Sequence, residues 1–176
     1  MAPRCCTALM RVPLLGAAVL ATGLSLSGCG LLVGHALRAA SEQRDRQAEV
    51  VASLARLGQL VTEARPALLA DMFTADGQLS WAGEATRVGR PAIDAFFRTF
   101  ADHKVIGITL TPATTDVDGQ TGTQQGSYAQ TLRAPDGHAV KAGGRFDIHW
   151  RHQPDGRWLI VRLQTVAAPA APPPPG

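Results

Sequence analysis

No cysteine follows position 29: Cys5, Cys6 and Cys29 are the only three in 176 residues. Whatever folds downstream does so without a disulfide, a cysteine nucleophile or a thiolate metal site. No acidic residue precedes Glu42, so residues 1–41 stand apart from the rest in composition. Charge of one sign is also missing. Setting aside Arg4 and Arg11, fifteen basic residues face fourteen acidic ones, a net of +1. No basic cluster with interleaved aromatics occurs, and nucleic acid is excluded as the expected partner. There is no phosphate-cradling glycine loop, serine elbow or zinc spacing, and no cofactor is implied. His149 and His152, three apart in an expected strand, point to opposite faces and share no metal.

The first 41 residues carry Arg4 and Arg11, then an uncharged run over 12–37. A basic start before an apolar stretch is an export signal, to be set aside in reasoning about the fold. Leu26-Ser27-Gly28-Cys29 resembles a bacterial lipobox: a branched apolar residue, two small ones, then cysteine. The resemblance implies a diacylglyceryl group on the Cys29 thiol, cleavage before it, and acylation (palmitate) of the new N-terminus. Several acyl chains, at roughly 0.8 kcal/mol per buried CH₂, anchor a protein to a membrane durably. Gly30 stands where lipoproteins retained in the inner membrane carry Asp, which by the same resemblance favours the outer membrane, with the domain in the periplasm. The alternative is an uncleaved single-pass inner-membrane anchor, since 12–37 is long enough to span and the arginines would stay cytoplasmic.

The chain then divides into a signal peptide (1–28), a tether and helix start (29–46), a folded domain (47–166) and a Pro/Ala-rich disordered tail (167–176). Residues 41–73 read helical, with Val50, Val51, Leu54, Leu57, Leu60 and Val61 on one stripe. Pro66 starts a second helix and Pro91 a third, which presents Ile93, Phe96, Phe97 and Phe100. After His103 the period changes from 3.6 to 2, and about four long strands follow. Asp118-Gly119, Pro135-Asp136-Gly137 and Pro154-Asp155-Gly156 read as the hairpin turns between them. Asp76-Gly77, between a helix and a short strand, reads as a fourth turn.

Two N-terminal helices, FTADGQLSW, the helix GRPAIDAFF and the closing hairpin GRFDIHWRHQPDGRWLIVRLQ together resemble the SnoaL-like, nuclear transport factor 2-like superfamily. The resemblance covers about residues 47–166. It implies an α+β cone: a curved, mostly antiparallel sheet wrapped around the helices, with an apolar pocket at its open end and dimerisation through the outer sheet face. Members include isomerases, cyclases and epoxide hydrolases with an Asp or a polar cluster in the pocket, and also non-catalytic ligand binders and assembly modules. Fold alone does not choose between them. The last strand, RWLIVRLQTV, has no carboxylate, which counts against a base placed there.

The remaining candidates are Asp147 and His149, two apart on one strand face, which could act as acid and partner in a pocket. Their placement depends on the last turn. A four-residue loop over 153–156 sets Asp147 opposite Arg162 on a charged outer face. A three-residue loop, Pro154-Asp155-Gly156, sets Asp147 opposite Leu163 and His149 opposite Val161, on an apolar surface. The first segregates polar from apolar residues better and is the expected one. Trp81 and Tyr128 are candidate ligand-binding residues, each an apolar body with a polar tip. The expected function is a lipid-anchored envelope protein, non-catalytic, that binds a small apolar ligand in the cone or scaffolds an envelope assembly. The rival is an isomerase- or cyclase-type enzyme using Asp147 and His149.

Overall fold

The computed structural model describes residues 29–100, 104–133 and 136–168. The expected signal peptide lies outside these residues, as does the expected tail beyond Ala168. Helix α1 (Cys29–Thr62) buries Val50, Leu54, Leu57 and Leu60, spaced by three and four so that they share one face. Val51, expected on that stripe, is exposed. The half of α1 before Val50 is held by polar contacts instead. Gln43 donates to the Val117 carbonyl, Arg46 to that of Gly119 at 2.8 Å and Gln47 to that of Thr115 at 3.0 Å.

Helix α2 (Pro66–Asp71) starts on its proline, whose missing N–H is unneeded in a first turn. Strands β1 (Phe73–Ser80) and β2 (Arg87–Val88) follow, then helix α3 (Arg90–Arg98), entered through Gly89 at φ 81°. Ile93 and Phe96 are its buried face. Four long strands complete the fold: β3 (Lys104–Asp118), β4 (Thr121–Arg133), β5 (Ala139–His152) and β6 (Trp158–Ala167). The sheet order is β2-β1-β6-β5-β4-β3, with β1 parallel to β6 and every other pair antiparallel. Shifts of register in three of these pairs bend the sheet. The helices pack inside that bend, so the fold is the expected α+β cone. Every buried residue among those described lies between Val50 and Thr165, so the chain from Gly30 onward contains the whole core.

Two sequence expectations need correction. Asp76-Gly77 does not reverse the chain. It lies within β1, whose pairing with β6 jumps from Phe73–Ile160 to Gln78–Arg162, so the intervening residues form a bulge in a strand that keeps its direction. The glycine is required by crowding: a Cβ there would stand 2.9 Å from Phe73 Cβ and 3.1 Å from the Ile160 carbonyl. The second correction concerns the β5–β6 hairpin. Its loop is the three-residue one, closed by Gln153 N–H to Arg157 O at 2.8 Å with Gly156 at φ 82°. Trp150 therefore faces Ile160 and not Leu159. Between Trp150 and His149 the register slips by one residue at Val161, so His149 faces Arg162 and Asp147 faces Gln164. The turn is the one expected not to form, and the bulge then returns the polar residues to a common face.

Candidate functional site

The inward face of the sheet and the apolar faces of α1 and α3 do not meet over their full length. β5 lines the space between them with the small Ala142 and Gly143, and a cavity of about 820 Å³ remains. Leu57 and Val61 of α1, Phe97 of α3 and Leu110, Phe146, Ile148 and Leu163 of the sheet form much of its wall. Trp81, after β1, leans on Phe96 at 6.3 Å and on Tyr128 at 6.0 Å between ring centroids. Phe96 in turn packs against Phe97 at 5.6 Å and Phe100 at 5.1 Å, both near edge-on. Such tilted contacts suit the ring quadrupoles and make one side of the cavity aromatic.

Both ligand-binding candidates thus line the cavity, Trp81 half-buried and Tyr128 buried. Burial pushes the Tyr128 phenol up from its ordinary pKa, so it stays protonated and able to donate. Gln130 and Thr165, which the sequence did not single out, also face the cavity. Strand alternation was the available signal, since Gln130 is two residues after Tyr128 and Thr165 two after Leu163. Arg98 and Lys141 stand among the lining residues with exposed side chains. Arg98 is engaged with Asp94 at 2.8 Å. No carboxylate and no histidine lines the cavity among the described residues.

Asp147 and His149 lie on the other face of the sheet. Asp147 Oδ2 accepts from Gln125 at 2.8 Å, while its Oδ1 is 3.0 Å from His149 Nε2 and 3.7 Å from Arg162. Arg162 is also 3.1 Å from the same His149 nitrogen. That nitrogen cannot both accept from Arg162 and donate to Asp147. The hydrogen-bond geometry favours the guanidinium as donor, leaving Asp147 Oδ1 without a hydrogen bond. This is a charge network on a partly exposed outer surface, and it cannot reach a molecule in the cone. Asp76 is likewise remote from the cavity. Its exposed carboxyl is held below the usual aspartate range, first by the nearby Thr74 hydroxyl.

Cys29 is the first residue of α1, and the cavity is walled by the other end of that helix. At 1.5 Å per residue, roughly 40 Å of helix separates Cys29 from Leu57. Among the described residues, no helix is long and apolar enough to cross a membrane, and no cluster of three or more His, Cys, Asp or Glu residues could hold a metal.

Solved structures share this architecture. An NTF2-like protein with a cystatin-like fold from Novosphingobium aromaticivorans is 27% identical, with a TM-score of 0.61 over 79% of this chain and 90% of that one. A function-unknown protein from Mycobacterium tuberculosis gives a TM-score of 0.66 at 23% identity, over 73% and 75% of the two chains. A ketosteroid isomerase-like protein from Erwinia carotovora gives 0.63 at 15% identity, over 70% and 96%. The last two likenesses show the fold alone. No curated protein matches the sequence. The SnoaL-like domain profile matches residues 42–164, spanning the buried core, the cavity and the closing hairpin, and the chain therefore belongs to the SnoaL-like family.

Proposed function

We infer that this is a lipid-anchored envelope protein whose cone takes up a small apolar ligand and holds it without chemical change. The observation that carries the reading is the cavity of about 820 Å³, walled by aliphatic and aromatic side chains with no acid or imidazole among the described lining residues. Its size and apolar character are those of small-molecule sites, where a few polar groups set orientation. The rival reading, an isomerase- or cyclase-type enzyme, loses its candidate acid and partner, because Asp147 and His149 face away from the cone.

The lipobox-like Leu26-Ser27-Gly28-Cys29 supports attachment to the outer membrane through Cys29. With the anchor at one end of α1 and the cavity at the other, the ligand would enter well away from the anchoring bilayer. Two experiments test the parts separately. Cells fed labelled palmitate should label the full-length protein and not its Cys29→Ser variant; equal labelling of neither would sink the anchor. The chain from Gly30 onward, purified without detergent, should bind N-phenyl-1-naphthylamine saturably and yield a co-purified small molecule on native mass spectrometry. Absence of both would sink the ligand.

A further inference from the structure

Besides the exposed Arg98 and Lys141, the cavity lining is polar at three buried positions on the sheet. Tyr128 and Gln130, 7% and 8% exposed, stand two residues apart on one face of β4, roughly 7 Å along the strand. Thr165, 6% exposed, faces the same space from β6. Among the described residues no protein group hydrogen bonds to the Tyr128 hydroxyl or to the Gln130 amide. Thr165 Oγ1 accepts the Ala82 N–H at 3.1 Å, which leaves the hydroxyl proton free to be donated. Buried polar groups are nearly always paired in native proteins, and leaving one unpaired is costly. The polar atoms of Tyr128 and Gln130 open onto the cavity, where water can satisfy them, so an occupant that displaces that water has to supply partners in its place.

The kind of polar group follows from the donors and acceptors on offer. A hydrocarbon satisfies none of them. A ketone or ether can accept from Tyr128 and the Gln130 NH₂, but gives nothing to the Gln130 carbonyl oxygen; Thr165, level with Gly126 across β5, stands four residues along the sheet from Gln130 and meets another part of the ligand. A carboxylate would bring a charge among apolar walls, with Arg98 already engaged with Asp94 and Lys141 exposed. A head that both accepts and donates while remaining neutral meets every requirement, and a carboxamide does so in one planar group. The rest of the ligand meets the aromatic side of the cavity at Trp81 and Phe96, which favours a flat ring system over a branched chain.

We propose that the cone binds an uncharged ligand with a flat apolar body and a carboxamide head, the head held by Tyr128 and Gln130, neighbours on one face of β4. This deepens the ligand-binding reading above and rests on it. Four probes of nearly equal shape test it on the chain from Gly30 onward: 2-naphthamide, 2-acetylnaphthalene, 2-ethylnaphthalene and 2-naphthoate, each competing against N-phenyl-1-naphthylamine. Because water also binds the amide, the telling quantity is the affinity ratio of amide to hydrocarbon. That ratio should fall about tenfold in Gln130→Leu and severalfold in Tyr128→Phe. The ketone should lose less than the amide in Gln130→Leu. A ratio unchanged in both variants, or tightest binding of naphthoate by the unaltered protein, overturns the proposal while the apolar-ligand reading stands. Failure of all four probes to compete overturns both. Should a variant not fold, the rank of naphthoate in the unaltered protein still decides.

Discussion

Two glutamines six residues apart on β4, Gln124 and Gln130, both point into the cone and both are buried. Gln124 sits toward the closed end, where its amide donates to Thr115 Oγ1 at 3.1 Å and its carbonyl oxygen accepts the Trp150 indole N–H at 3.0 Å. Nearby, the Trp158 indole donates to Glu49 of α1 at 2.9 Å. Polarity at that end closes on itself and locks strand to strand and sheet to helix. Gln130 sits at the open end, among aromatic rings and empty volume, with no protein partner among the described residues. The same residue type on the same strand face thus serves folding at one end and is left available at the other. The difference lies in what surrounds each side chain, and it separates the part of the cone that holds the structure together from the part that can hold something else.

The sharpest way to break this comparison is to remove a tryptophan from each end. Trp150 is 1% exposed and central to the closed end, so Trp150→Ala should cost about 4 kcal/mol in urea unfolding. Trp81 is half-buried against open volume, and Trp81→Ala should cost less than half as much while weakening N-phenyl-1-naphthylamine binding severalfold. Equal destabilisation would mean that the two ends are packed alike. The glutamines come next in size. Gln124→Leu strands a buried indole N–H and should cost about 2 kcal/mol. Gln130→Leu removes an unpaired amide and should change stability by no more than about 0.5 kcal/mol in either direction. If Gln130→Leu proves as damaging as Gln124→Leu, the amide has a structural role and the contrast fails.

That contrast was not legible in the sequence. Alternation puts Gln124, Tyr128 and Gln130 on one face, but says nothing about whether a neighbour will be near enough to pair with each. The helical stripe Val50-Leu54-Leu57-Leu60, the aromatic face of α3 and the long strands were legible, because each depends on a local period that the core then enforces. The bulges were not. Asp76-Gly77 has the spelling of a turn, yet crowding between Phe73 and the Ile160 carbonyl makes it a kink in a strand. The slip at Val161 is also tertiary: the three-residue loop starts the hairpin one residue out of step with its polar pattern, and the bulge corrects it. Asp147 and His149 were candidates only while that register was open. The missed groups, Gln130 and Thr165, became visible once the cavity was.

A pH experiment sharpens the comparison further. Burial raises the Tyr128 phenol, so the folded state keeps its proton to higher pH than the unfolded chain, which loses it near 10. Above that value the unfolded state binds fewer protons than the folded one, and stability must fall as pH rises. The loss should be flattened in Tyr128→Phe, read as denaturant midpoints between pH 9 and about 11. If the two proteins lose stability in parallel, the phenol is solvated and the open end is wetter than its lining suggests.

The smallest effect expected is at the β5–β6 loop, outside both ends of the cone. Asp155 accepts the Arg157 backbone N–H at 3.1 Å and its guanidinium Nε at 2.8 Å, and these contacts, the backbone one foremost, hold its carboxyl below the usual range. A depressed carboxylate contributes stability that is present above its unfolded pKa, near 3.8, and lost as pH falls through the lower folded value. The group is fully exposed, so the acid-side change in midpoint should be slight, and Asp155→Ala should abolish it without altering probe binding. The substitution bears on the comparison because the loop sets the register from which Val161 must slip. Should Asp155→Ala instead shift the hairpin by one residue, Asp147 and His149 would turn toward the cavity. Probe affinity would then fall with the change in register, and the outer face would prove to be fixed by the loop. Retained affinity would mean that the bulge, seated between Trp150 and His149, holds the register by itself.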